Sequence, residues 1–171
     1  MFKTPLQVEA IPPNLWRIIS PLVWDDTVGG VMDNGVYIPN PGEFGRLEFP
    51  AGLVTDLASI PRILRHHSAF DPGGPSRRAA VGHDDMYATG MAAGKSITRD
   101  RADRFLYLAL LSEGVSRPVA WMFWAGVRLG GWLPWRDYRI AELEAALEAE
   151  RRRLLVAQRD IRQPVVPPRI K

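Results

Sequence analysis

The sequence predicts an α+β fold: a small N-terminal antiparallel sheet packed with a C-terminal helical bundle, then a long C-terminal helix and an extended tail. Three observations predict it. Residues 1–60 carry short β-type runs separated by glycine and proline. Residues 76–131 carry apolar side chains at helical spacing between capping residues. Residues 138–162 contain neither glycine nor proline. The expected organisation is one α+β domain over 1–136, a helix over 137–162 and a proline-rich tail over 163–171.

The strands come first. Residues 15–19 (Leu-Trp-Arg-Ile-Ile) form a β-type run that Ser20-Pro21 ends. Residues 31–38 carry Val, Tyr and Ile between Gly29-Gly30 and Pro39-Asn40-Pro41-Gly42. Arg46-Leu47-Glu48-Phe49 alternates polar and apolar, the period of a half-buried strand. These runs predict a sheet of about three or four strands.

Helices follow. Ser59-Ile60-Pro61 reads as a helix start, because proline in a first turn loses no hydrogen bond. Ser76 is placed to cap a helix that Gly90 closes. Thr98 is placed to cap the next, with Ala102, Phe105, Leu106, Ala109 and Leu110 on one face and Gly114 at its end. Ser116 and Pro118 open a third, rich in Trp121, Phe123 and Trp124, which stops at Gly130-Gly131.

The last helix has a different pattern. Ile140, Leu147, Leu154 and Ile161 recur every seven residues, with Leu143 and Ala157 three places after the first and third of them. This is a narrow seam, not a broad core-facing stripe, and Glu150 interrupts it. Glutamates 142, 144, 148 and 150 fill the first half, and arginines 151, 152, 153, 159 and 162 the second, an order that suits the helix dipole. One reading is a solvated helix along its own domain; the other is an arm that packs on another chain. In the second, Ile140, Leu147, Leu154 and Ile161, with Pro167 and Pro168 of the tail, contact neighbouring subunits. The prolines hold that tail extended.

Composition excludes several classes. The chain has 171 residues and no cysteine, which removes disulfide scaffolds, thiolate metal sites and cysteine nucleophiles. The formal charge is +3 and its basic residues are dispersed, which argues against nucleic acid as a partner. The N-terminus lacks the basic and apolar regions of a secretory signal. The longest apolar stretch, 119–127, is too short to cross a bilayer. Synthesis in the cytoplasm without membrane insertion is the expectation. No phosphate loop is present, since neither Gly29-Gly30 nor Gly73-Gly74 continues into Gly-Lys-Ser/Thr.

Four segments stand out: Thr55-Asp56-Leu57-Ala58-Ser59-Ile60-Pro61, His83-Asp84-Asp85-Met86-Tyr87, Arg99 through Ala102-Asp103, and Val127-Arg128-Leu129-Gly130-Gly131-Trp132. In this order they resemble a family of phage and prophage proteins known only as a domain of unknown function. The resemblance covers residues 46–135. It departs from the family pattern at Gly131, one residue inserted before Trp132. It implies a phage setting and no reaction.

Chemistry rests on Asp56, His83, Asp84 and Asp103. If these converge, an imidazole and carboxylates could hold one divalent ion such as zinc, and a metal-bound water would be a hydrolytic nucleophile. The alternative is a buried hydrogen-bond network in which Asp56 caps a helix at Ser59 and His83 bridges to Asp103 or a backbone carbonyl. His66, His67, His83-Asp84 and Asp103 echo the order of metal phosphohydrolase ligands, but Asp71-Pro72-Gly73-Gly74-Pro75 breaks the helix such a site needs. Ser59 lacks a nucleophile elbow. Trp121, Trp124, Trp132 and Trp135 read as core, with a surface platform at Trp132 and Trp135 as the alternative.

Two functions follow. One is a virion-associated structural or assembly protein, in or near the phage tail, that binds other virion proteins or its own copies through the C-terminal helix and tail. The other is a small metal-dependent hydrolase of cell-wall peptide or phosphoester that uses Asp56, His83, Asp84 and Asp103.

Overall fold

The computed structural model describes residues 1–12, 15–27, 30–33, 36–39, 42–55, 74 and 76–162. The chain is α+β: the described residues form small antiparallel ladders, most of them at the N-terminus, and four helices. It divides into two units, Met1–Trp135 and Arg136–Lys171.

The strands form separate short ladders. β1 (Val8–Ile11) pairs with β2 (Leu15–Ile18), and β2 with β7 (Val54–Thr55), in a three-stranded sheet. β3 (Leu22–Asp25) pairs with β6 (Arg46–Phe49) in the register Leu22↔Phe49 and Trp24↔Leu47. The β6 alternation is as the sequence predicts: Leu47 and Phe49 are buried and Arg46 and Glu48 exposed. The run at 31–38 is two strands. β4 (Gly30–Asp33) and β5 (Val36–Pro39) form an antiparallel pair on either side of Asn34-Gly35, a dipeptide that favours a two-residue hairpin.

Each helix has a local cause. α1 (Arg77–Thr89) ends at Gly90, whose φ of 64° is left-handed and whose N–H reaches the Met86 carbonyl. Ser76 precedes it but makes no side-chain cap. β8 (Met91–Ala92) and β9 (Lys95–Ser96) then pair across Ala93-Gly94. The Thr98 hydroxyl accepts from the Arg101 N–H and caps α2 (Arg99–Ser112). α3 (Arg117–Gly130) carries Pro118 in its first turn. α4 (Trp132–Arg162) begins before the expected residue 137. Pro134 does not prevent this, because the first-turn N–H it lacks would have had no intrahelical partner.

The core of the first unit is built around Phe105 of α2, which is fully buried. Phe2, Trp24 and Phe44 meet its ring edge-on, at centroid distances of 6.5, 5.2 and 5.5 Å. Each such pair contributes about 0.5–1.5 kcal/mol beyond the area it buries. Gly82 lets α1 cross this cluster closely. A Cβ there would stand 2.6 Å from the Phe105 ring and 2.8 Å from Phe49. The second turn of α1 is thereby pressed against α2, which brings the polar residues of the two helices together.

Candidate functional site

His83 and Tyr87 lie one turn apart on α1 and so share a face. That face meets Asp103, in the first half of α2. His83 Nε2 is 3.2 Å from Asp103 Oδ1, and the Tyr87 hydroxyl donates to the same oxygen at 2.5 Å. The other carboxylate oxygen accepts from Arg128 Nη1 of α3 at 3.0 Å, with Arg99 Nη1 4.0 Å away. Arg99 also donates to the Arg128 carbonyl at 3.0 Å. One carboxylate therefore ties together three helices.

The electrostatics follow from this geometry. Burial pushes the Asp103 carboxyl up, but the hydrogen bonds it accepts from His83, Tyr87 and Arg128 outweigh burial and hold it below its ordinary range. Burial, and next the hydrogen bond to Asp103, hold the Tyr87 phenol above its ordinary range. An ionised Asp103 only accepts, so His83 Nε2 is the donor in this contact. Nδ1 lies 4.0 Å from Asp84 Oδ1, beyond hydrogen-bond distance.

Asp84 points elsewhere. Successive helical residues diverge by about 100°, and Asp84 turns to β7, where its Oδ2 accepts from Thr55 Oγ1 at 2.6 Å. The Tyr87 ring also meets Trp135, edge-on at 5.1 Å. Trp135 is thus packed on the core, and Trp132 is exposed.

Of the four residues read from sequence, the structure joins His83 directly to Asp103 and leaves Asp84 beside them on Thr55. Asp56 lies outside the described residues, as do Ser59, Pro61, His66, His67, Pro167 and Pro168. Among the described residues no group of three His, Asp or Glu side chains could hold a metal ion. Both Asp103 oxygens are engaged by protein donors, so metal ligation by Asp103 would displace them. Tyr87, Arg99, Arg128 and Thr55 complete the cluster. Each lies within a segment that stood out in the sequence. The signal that could have singled out Tyr87 and Arg99 was their spacing of four from His83 and Asp103.

The family model described as "Protein of unknown function (DUF1353)" matches residues 31–127, more than half of the chain. The chain belongs to the DUF1353 family. The DUF1353 segment opens at β4, includes His83, Tyr87, Arg99 and Asp103, and ends one residue before Arg128. It starts earlier than the resemblance over 46–135 suggested, and α4 lies outside it. No curated protein and no solved structure matches the chain.

Proposed function

We propose that this DUF1353 protein is a virion-associated structural or assembly protein of a phage, in or near the tail, that holds neighbouring subunits through α4. The observation that carries the reading is the exposed seam of α4: Leu143, Leu147 and Leu154 are 64, 70 and 57% exposed on a helix that extends past the family segment. Leucines repeated at heptad spacing gain by burial against another helix, about 1.5–3 kcal/mol each when fully covered. Asp103 agrees with this reading, because a carboxylate whose acceptors are all used by its own fold serves to fix three helices. The phage setting comes from the likeness of the four-part motif to phage and prophage proteins. The test is removal of residues 138–171. The shortened protein is expected to stay folded and to fail to enter particles; normal incorporation would sink the reading.

A second reading has one observation in its favour. His83 has one ring nitrogen anchored by a buried carboxylate, which is how an imidazole is oriented as a base or a metal ligand. A small zinc-dependent hydrolase would place Asp56, His83 and Asp84 around the ion. Zinc titration of the wild type and His83→Ala decides it. Stoichiometric zinc lost in a folded variant supports the enzyme; no zinc uptake by the wild type removes it.

A further inference from the structure

The charges on α4 are segregated along its length, and the segregation identifies a partner. Glutamates occupy 142, 144, 148 and 150, and arginines follow at 151, 152 and 153. A second copy laid parallel would set arginine against arginine and place Glu150 opposite Glu150 in the seam. A second copy laid antiparallel sets the acidic half against the basic half. The seam allows this arrangement: with Ile140, Leu147 and Leu154 at the first heptad position and Leu143, Glu150 and Ala157 at the fourth, an antiparallel pair stacks first positions on fourth positions.

One register fills every layer of the exposed seam. Leu143 meets Leu154 of the second copy, Ile140 meets its Ala157, and Leu147 meets its Glu150. In that register Glu144 comes beside Arg151 of the second copy, both at the position that flanks the seam. The described chain prepares this pairing. Arg139–Glu142, Arg152–Glu148 and Arg153–Glu150 are ion pairs within α4. Among the described residues Glu144 and Arg151 make none, although each has opposite charges on the same helix.

We infer that α4 forms an antiparallel two-stranded coiled coil with α4 of a second copy of this chain, in the register Leu143 on Leu154. The inference rests on the reading of α4 as a subunit-binding arm and names its occupant. In this register Glu150 lies next to the twofold axis and faces Leu147 of the second copy, where a polar residue costs the pair stability.

The chain has no cysteine, so single cysteines report the geometry without background. Full-length Leu143→Cys and Leu154→Cys are prepared separately, weighed in solution, and oxidised alone and as a mixture. The expected result is a dimer mass for the wild type, a disulfide between the two variants in the mixture, and little in either alone. A homotypic disulfide in each separate sample means a parallel pair and overturns the inference. So does a dimer that forms no disulfide in any sample, and so does a monomer at the highest soluble concentration. The function proposed above is judged separately. A monomeric chain that still needs residues 138–171 to enter particles keeps that function with another subunit on α4, whereas a dimer that enters particles without them keeps the inference alone.

Discussion

His83 Nε2 stands 3.2 Å from Asp103 Oδ1, and Asp103 is completely buried. A buried carboxylate is tolerated only with its charge and lone pairs answered. His83, Tyr87 and Arg128 answer them from two other helices, so the relationship between His83 and Asp103 is one edge of a three-helix clamp.

Asp103→Ala is the direct test of the clamp. It leaves Arg128 and Tyr87 facing an empty acceptor position. Removing one partner of a buried charge pair costs about 3–5 kcal/mol. Tyr87→Phe removes a single donor and should cost about 1–3 kcal/mol. Chemical denaturation of both variants checks the order; equal, small losses would mean that the clamp contributes little.

The clamp also sets a pH dependence. The folded Asp103 carboxyl lies below its ordinary value of 3.8. A depressed acid contributes stability that is full above the unfolded value and is lost as pH falls through the folded one. Asp85 and Glu113 act oppositely, since burial raises both, with Arg78 partly offsetting it at Glu113. The overall acid profile mixes these signs. The difference between wild type and Asp103→Asn isolates one of them. It should be constant above about pH 5 and shrink steadily below about pH 4. A difference that grows on acidification would contradict the hydrogen-bonded, ionised Asp103.

How much of this was legible in the sequence depends on distance along the chain. Thr98, Gly90 and Pro118 act within one turn, and their helix ends were readable. Asn34-Gly35 is also a hairpin signal, set within the apolar run 31–38. The Ala93-Gly94 turn was harder, because Ala93 adopts a φ of 49° that alanine rarely takes. His83 and Asp103 were recognisable as residue types that need partners. Which partners they take was not, because Arg128 comes from 25 residues beyond Asp103 and arrives only through the packing of α3 on α2. Ser76 shows the reverse: the residue type favours a cap, yet its buried position makes no capping bond.

Gly131, the residue inserted before Trp132, is held by space rather than by backbone conformation. Its φ is −76°, open to any residue. A Cβ there would fall within 3.0 Å of the Tyr87 hydroxyl and the Val127 carbonyl oxygen. Gly131→Ala should therefore push Tyr87 off Asp103 and cost about 1–3 kcal/mol. Tyr87→Phe removes the obstructing hydroxyl, so the double variant should lose less than the sum of the two. Strict additivity in this cycle would show that Gly131 does not act through Tyr87.

Glu150 offers the sharpest energetic check on α4. It occupies a seam position where leucine would continue the pattern, and its carboxylate reaches Arg153 of its own helix at 3.6 Å. In the antiparallel pair it faces Leu147 of the other copy, so a charged group loses water without an apolar gain. Glu150→Leu converts two such layers per dimer to leucine on leucine. The pair should tighten by at least about tenfold, equivalent to about 1.4 kcal/mol, with the exposed helix of the monomer little affected. Sedimentation equilibrium of wild type and variant measures the change. Unchanged association would mean that Glu150 stays in water in the dimer, and the seam would then not be the surface that two copies share.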